Sequence, residues 1–452
     1  MTTIYNAQWI VPVSTEPFAE GGIAVSDSRI VAVSTRETLG QQFPQAEVRD
    51  FGPAAIIPGL VNSHSHLELT AMRGFLENEE NDFFAWLKKL TIARLERMTA
   101  DDLNVSAQWG LCEAARAGVT CVADASDAAF ESMNALRAVG LRGLVFQESF
   151  GPDPRLAQEN FAKLQTKITR LRELETALVK CGVSPHAPYT VCGPQLEMIA
   201  QFTLAEELPL MMHAAETLME VALLREGSGA LADGLKNRGI DWQTPGLSTI
   251  QYLKQRGILA TRPLLAHCIH VDGADIETLG ETGSKIAHCP KSNSKLSHGV
   301  APLPKFLKQG IATGLGSDSV ASNNVCDLFE EARYALLLAR SGSAWKNPDT
   351  VLSVHDVLQL ATRGGATALG MSEHVGALRE GMQADFAIVS LNGVHQIPVY
   401  DPVSALIFSS SARDVVLTVV AGREVYRDGR VTNVDEDRLR ARMKEISEKL
   451  SA

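Results

Sequence analysis

Six of the eleven histidines in this 452-residue chain stand just past short apolar runs. His64-Ser65-His66 is the sharpest local pattern. On an extended segment, residues two apart point to the same side, so both imidazoles can face one ion. His186, His213, His267 and His288 follow later runs, and Asp318 follows the last, in Gly316-Ser317-Asp318-Ser319. Each has an ordinary reading on its own: an HxH pair is commonly structural, a lone His213 a satisfied core histidine, Asp318 a turn residue or helix cap. Together, three imidazole nitrogens and a carboxylate make a donor set for one divalent ion, zinc first and ferrous iron as the alternative. Such an ion lowers the pKa of a coordinated water from about 15.7 towards about 7, which supplies a nucleophile for an electron-poor carbon.

Catalysis also needs a proton carrier. In His213-Ala214-Ala215-Glu216 a carboxylate follows three residues after a proposed ligand. Placed at the same mouth, it can take a proton from water and return it to a substrate nitrogen or leaving group. Its ordinary reading is a solvated residue opening the next helix. His267 would face it, able to hold the same water, or else serve as a support or fifth ligand. His270 and His288 read as structural.

The elements that must position these groups recur with a rhythm. Apolar runs closed by Gly, Pro or polar clusters fall at Ile56–Ser63, Val119–Asp124, Gly143–Gln147 and Leu178–Ser184. Four more fall at Leu208–Met212, Leu264–Ala266, Lys285–Ala287 and Ile311–Gly316. Helix-like stretches, such as Ser106–Ala117, Pro194–Glu206 and Gly273–Glu281, separate most of them. Eight such alternations over about 260 residues predict an α/β (β/α)8 TIM barrel, whose strand ends share one functional face. An open doubly wound sheet competes, but no glycine fingerprint follows an early strand.

The chain ends are of another kind. Ile4 to Val13 and Gly22 to Ser34, with a turn at Ser26-Asp27-Ser28, read as strands. So do Ala384–Val389, Val415–Val420 and Gly422–Tyr426. Both termini are expected to build one composite β-sandwich subdomain, dividing the chain into 1–57, 58–370 and 371–452. The charged stretch from Val434 to Leu450 reads as a surface helix.

Composition sets the outer bounds. Lys and Arg number 42 against 53 Asp and Glu, a net charge of −11, so no basic footprint for nucleic acid or an anionic membrane is present. No apolar run approaches the roughly 20 residues of a membrane span. The start lacks the basic flank and small-residue cleavage site of a signal peptide. The seven cysteines include no CxxC pair, against a disulfide framework or zinc ribbon. These features lead to an expectation of a cytoplasmic enzyme with a small-molecule substrate.

The order and spacing of several segments resemble the amidohydrolase superfamily. They are Pro58-Gly59-Leu60-Val61-Asn62-Ser63-His64-Ser65-His66, Ser184-Pro185-His186-Ala187-Pro188-Tyr189-Thr190 and His213-Ala214-Ala215-Glu216-Thr217. Ala266-His267-Cys268-Ile269-His270, His288-Cys289-Pro290-Lys291-Ser292-Asn293 and Gly314 to Ser322 continue the match, and Gly376 to Asp385 extends it into the tail. Within it, the chain is similar to the branch of S-adenosylhomocysteine, methylthioadenosine and aminodeoxyfutalosine deaminases, guanine deaminase and the triazine hydrolases. The resemblance implies one divalent metal on His64, His66, His213 and Asp318. It also implies Glu216 and His267 as proton-handling groups, Asp318 as a further proton carrier, and His186 as a substrate contact. Glu216 would protonate a purine ring nitrogen, and ammonia would leave. Two-metal members use a carboxylated lysine at the end of the fourth strand. Lys180 lies well before that end, so it reads as structural and the site as mononuclear.

Substrate expectations come from the same resemblance. A ribose-gripping glutamate of the adenosine-type relatives would fall near Leu95, beside Glu96. His66-Leu67-Glu68-Leu69-Thr70, Phe83-Phe84-Ala85-Trp86-Leu87, Arg225 to Gly229, Trp242, Pro245-Gly246-Leu247-Ser248 and Tyr252-Leu253 resemble the aminodeoxyfutalosine deaminases. The ordinary reading of Trp86, Trp242 and Tyr252 is helix packing. Arg73 or Lys291 is a candidate for a substrate carboxylate, with helix pairing as its ordinary role. The leading expectation is therefore deamination of aminodeoxyfutalosine. The alternatives are adenosylhomocysteine, methylthioadenosine or adenosine, then a triazine or guanine. A non-catalytic scaffold would be expected to have lost a ligand or the acid. Dimers and tetramers are common in the family, and no sequence feature selects among oligomeric states.

Overall fold

A computed structural model describes residues 2–341 and 351–452. Eight strands run parallel in two four-stranded sheets. The first holds Leu60–Ser65, Val119–Ser126, Arg142–Ser149 and Val179–Pro185 in that order. Met211–Ala214, Leu264–His267, Lys285–His288 and Thr313–Leu315 form the second. Val119–Ser126 and Arg142–Ser149 are buried at every residue, as strands covered on both faces must be. Parallel bridges pair Ser65 with Asp318 and Val183 with Leu210, between the outer strands of the two sheets. At these seams Asp318 N–H donates to the His64 carbonyl and Val183 N–H to the Pro209 carbonyl, each at 2.9 Å. Because all eight strands point the same way, their C-terminal ends bring His64, His186, His213, His267 and Asp318 to one end.

The helices between them have local reasons to start and stop. Thr99 and Asp102 form a reciprocal capping box at the head of Ala100–Arg116, and Asp272 and Asp275 another before Gly273–Thr282. Ala129–Val139 ends on Gly140 at φ 87°, a left-handed stop that glycine adopts without a Cβ penalty.

The run Ile56–Ser63, expected as one barrel strand, is divided. Ala54–Pro58 pairs antiparallel with Phe386–Ser390, and Leu60–Ser65 begins the parallel sheet. The break falls at Pro58-Gly59 because Pro58 has no N–H to donate. Gly59 also lies so close to the next strand that a Cβ there would meet the Thr120 side chain at 2.1 Å.

The termini share one continuous hydrogen-bonded sheet of nine strands. Thr2–Ile10 is its hinge. It pairs with Phe18–Ser26 on one side, and with Glu47–Asp50 and then Ala54–Pro58 on the other. Ile10, Ile23, Ile30 and Ile56 from the N-terminal part meet Phe386, Ile388, Leu417 and Val419 from the C-terminal part in one core. Buried Arg142 makes a two-pronged ion pair with Asp385, at 2.9 and 3.0 Å, tying the first parallel sheet to this one. The last helix, Glu436–Ser451, exposes its charged face but buries Leu439, Ile446 and Leu450, so only one side of it is surface. Lys449 anchors it at 2.7 Å from Asp102.

All seven cysteines are buried free thiols. Among the described residues no helix is long and apolar enough to cross a membrane.

Candidate active site

His64 lies within the first parallel strand and His66 just past it, and their rings meet edge-on at 4.9 Å. His213 enters from the fifth strand, and its Nε2 faces His66 Nε2 at 3.2 Å. Asp318 Oδ1 stands 3.4 Å from His64 Nε2 and 3.6 Å from His66 Nε2. Ser65 points the other way, its hydroxyl donating to the Ala123 carbonyl at 3.0 Å, as the alternation of an extended segment requires.

The tautomers follow from the outer partners. His213 Nδ1–H donates to the His186 carbonyl at 2.9 Å, and His66 hydrogen-bonds the backbone of Ala125. The two facing Nε2 atoms are therefore both lone pairs, an arrangement that repels unless a cation lies between them. His64 Nδ1 contacts the Met211 sulfur at 3.3 Å, while its buried Nε2 has no hydrogen-bond partner. Burial, then the neighbouring His64, lowers His66 to about 3. Burial and the surrounding imidazoles likewise push His213 well below the usual histidine range. Burial alone would raise Asp318, but the neighbouring His64, with His267 and His66 beyond, holds it well below the usual carboxylate range. The neutral nitrogens of His66 and His213, an ionised carboxylate and the unpartnered inward nitrogen of His64 fit a divalent cation. Asp318 is further fixed by Ser292 Oγ–H at 2.5 Å and Ser319 N–H at 2.7 Å.

Glu216 sits beside this donor set, its Oε1 3.7 Å from His267 Nε2. His267 Nδ1–H donates to Asn293 Oδ1 at 2.8 Å, which turns Nε2 towards the site. Burial opposes charge on both groups. Even so, Glu216 is held below its usual range by His267 and His298, and His267 is raised by Glu216, Asp318 and the Asn293 bond. Two backbone N–H groups, of Ala215 and Glu216, donate to Glu220 at 2.8 and 3.1 Å, so the loop carrying Glu216 is pinned from behind.

A cleft of about 410 Å³ opens over these residues, walled by Phe83, Trp86, Leu90, Leu95, Phe150 and Tyr189. His186 lines it, with Nδ1 on Thr190 Oγ1 at 2.9 Å and the Phe150 ring tilted against it at 4.7 Å between centroids. Burial lowers His186 to about 4, so it meets a substrate as a neutral imidazole.

The fold thus brings His64, His66, His186, His213, Glu216, His267 and Asp318 together. It keeps others apart. Arg73 pairs with Glu113 and Lys291 with Glu330, and neither lines the cleft, so neither can meet a substrate carboxylate there. Lys180 pairs with Glu175 on the exposed side of its strand. Leu95 borders the cleft mouth and Glu96 is outside it, so no carboxylate occupies the expected ribose position. Trp86 lines the cleft, while the Trp242 indole donates to the Leu223 carbonyl and Tyr252 is core. Buried His288 lies outside the cleft lining.

Two residues escaped the sequence reading. His298 Nδ1 stands 3.2 Å from Glu216 Oε1, on the loop after a short helix, where no strand-end rule reaches. Glu148, at the end of the third strand, lines the cleft. Its strand-end position was a usable signal.

The chain matches the Amidohydrolase family over residues 55–425. It is 31% identical to the 5-methylthioadenosine/S-adenosylhomocysteine deaminase of Syntrophobacter fumaroxidans, covering 95% of this chain and 93% of that one. The protein of the same name from Nitratidesulfovibrio vulgaris is 33% identical, over 94% and 92%. The chain belongs to the amidohydrolase family. A solved adenosine deaminase of Xanthomonas campestris with bound zinc superposes with a TM-score of 0.85 at 26% identity, covering 99% and 98% of the two chains. This amidohydrolase is accordingly a hydrolase acting on C–N bonds, and its His/Asp cluster is a divalent-metal site.

Proposed function

We propose that this amidohydrolase is a hydrolytic deaminase of an aminopurine nucleoside, converting an adenine-type base to a hypoxanthine type with release of ammonia. One observation carries it: a buried carboxyl, Glu216, and an imidazole, His267, flank the three-histidine, one-aspartate donor set at the floor of a cleft sized for a small molecule. His64, His66, His213 and Asp318 would hold one divalent cation, zinc first, which supplies an activated water at neutral pH. Glu216 takes a proton from that water and passes it to the ring nitrogen beside the amino-bearing carbon. Asp318 and His267 hold the attacking water against that carbon, and Asp318 carries the second proton to the departing amine. Loss of ammonia needs such a proton, which favours an amine over a halide as the leaving group. We take the two parallel sheets to work as one closed (β/α)8 barrel, with 1–57 and 371–452 as its supporting subdomain.

The relatives at 31–33% identity carry a methylthioadenosine/adenosylhomocysteine name, which favours an adenosine-type substrate over the aminodeoxyfutalosine expected from the local motifs. The test is ammonia release by metal-loaded protein from adenosine, methylthioadenosine, adenosylhomocysteine, aminodeoxyfutalosine, guanine and a triazine. Preference for an adenosine-type nucleoside supports the reading. Turnover confined to guanine or a triazine overturns it.

A further inference from the structure

The inner wall of the cleft carries an acid that the deamination chemistry does not use. Glu148 stands near the end of the third parallel strand, is 6% exposed, and lines the cleft. Its Oε1 is buried without a hydrogen-bond partner. Its neighbours show that this is not for want of cations. Arg94 stands 3.1 Å from Glu68 and also pairs with Asp127, and Lys167 adds a second contact to Asp127 at 2.8 Å. Both basic groups are spent on the adjacent carboxylates. An unpaired buried carboxyl is costly, and one that faces a cleft gains its partner when a ligand enters.

The position identifies the ligand group. A carboxyl oxygen of Glu148 lies within 4.8 Å of ring nitrogens of His186 and His213. Glu216 and His186 stand just past the fifth and fourth strands, and Glu148 is the penultimate residue of the third, so the three follow one another around the cleft. Around an aminopurine nucleoside, N1, N3 and the sugar follow in the same order along one edge. N1 and N3 are acceptors, and the 6-amino group is the one being lost. The hydroxyls of the sugar are the donors left over. We infer that Glu148 is a specificity-determining residue that binds the 2′,3′-hydroxyl edge of the substrate sugar. This rests on the nucleoside deaminase reading.

The experiment uses the metal-loaded full chain with adenosine, 2′-deoxyadenosine and 3′-deoxyadenosine. In wild type, removing the hydroxyl that Glu148 holds lowers kcat/KM about 10-fold or more, because the carboxyl is again left unpaired. Glu148→Leu loses a similar factor on adenosine, mainly through KM, and treats the three nucleosides alike within about two-fold. Metal content stays at the wild-type value, and Tm is equal to or above it, since no ligand and no intramolecular bond is removed and an unpaired buried carboxyl is relieved. If wild type handles all three equally, or if Glu148→Leu keeps the discrimination, the inference is overturned. Should Glu148→Leu not fold, Glu148→Ala takes its place in the same comparison. Silence of wild type towards every nucleoside would instead overturn the function proposed above.

Discussion

Glu216→Gln separates proton handling from metal binding more cleanly than any other change in this site. The amide keeps the shape of the carboxyl, and Glu216 is not among the converging donors, so the metal should stay at wild-type stoichiometry. What disappears is a base 3.7 Å from His267 Nε2 and 3.2 Å from His298 Nδ1, both of which hold it ionised at neutral pH. A positioned general acid–base contributes about 10²–10⁴ in rate. That range is about 2.7–5.4 kcal/mol of barrier at ~1.36 kcal/mol per tenfold. In the proposed reaction Glu216 both accepts and returns a proton, and buried surroundings admit little bulk water to replace it, so the upper half of that range is expected. Steady-state ammonia release on the best nucleoside reads the turnover, and elemental analysis of the same sample reads the metal content. Turnover reduced by about 10³-fold or more, with full metal and near-normal KM, fits the assignment. A variant that stays within about 10-fold of wild type would refute the proton-handling role, and one that has lost its metal would make Glu216 a ligand.

The other expectations follow from the same geometry. His64→Ala should lose both ion and turnover, because Nε2 of His64 is the buried orphan nitrogen of the donor set; a fully metallated variant removes His64 from it. Arg142→Ala should destabilise the fold by about 3–5 kcal/mol in urea titration, since it strands the wholly buried Asp385; a loss under about 1 kcal/mol would refute that. Glu331 is buried and, chiefly for that reason, raised from 4.5 to about 8. Across pH 5 to 8 the folded state therefore keeps a proton that the unfolded chain gives up, and stability falls as pH rises, by up to about 1.4 kcal/mol per unit. Glu331→Gln should flatten that slope in urea unfolding at pH 5, 6.5 and 8, and an unchanged slope would place the titration elsewhere.

Much of the site was legible in the sequence because its groups obey short-range rules. His64 and His66 share a side because an extended chain alternates its side chains. His186, His213, His267 and Asp318 were visible because each closes an apolar run, and parallel strands must deliver their ends to one place. Val415–Val420 and the start of Gly273–Thr282 were equally local, one a β-branched run and the other a capped helix. The failures are of the opposite kind. Arg73 and Lys291 have the right charge for a substrate carboxylate, but Glu113 and Glu330, distant in sequence, reach them first. Ile56–Ser63 is one apolar run, yet hydrogen bonding to Phe386–Ser390, some 330 residues away, assigns its first half to another sheet. His298 reaches Glu216 only through a loop. Glu148 stands out only once Arg94 and Lys167 are seen to be spent on its neighbours. Residue types and the faces they occupy are thus written locally in the chain, since propensity and period act over a few residues. Which charges are neutralised, and which are left facing the cleft, emerges only on folding, because pairing depends on distances that no local spacing encodes.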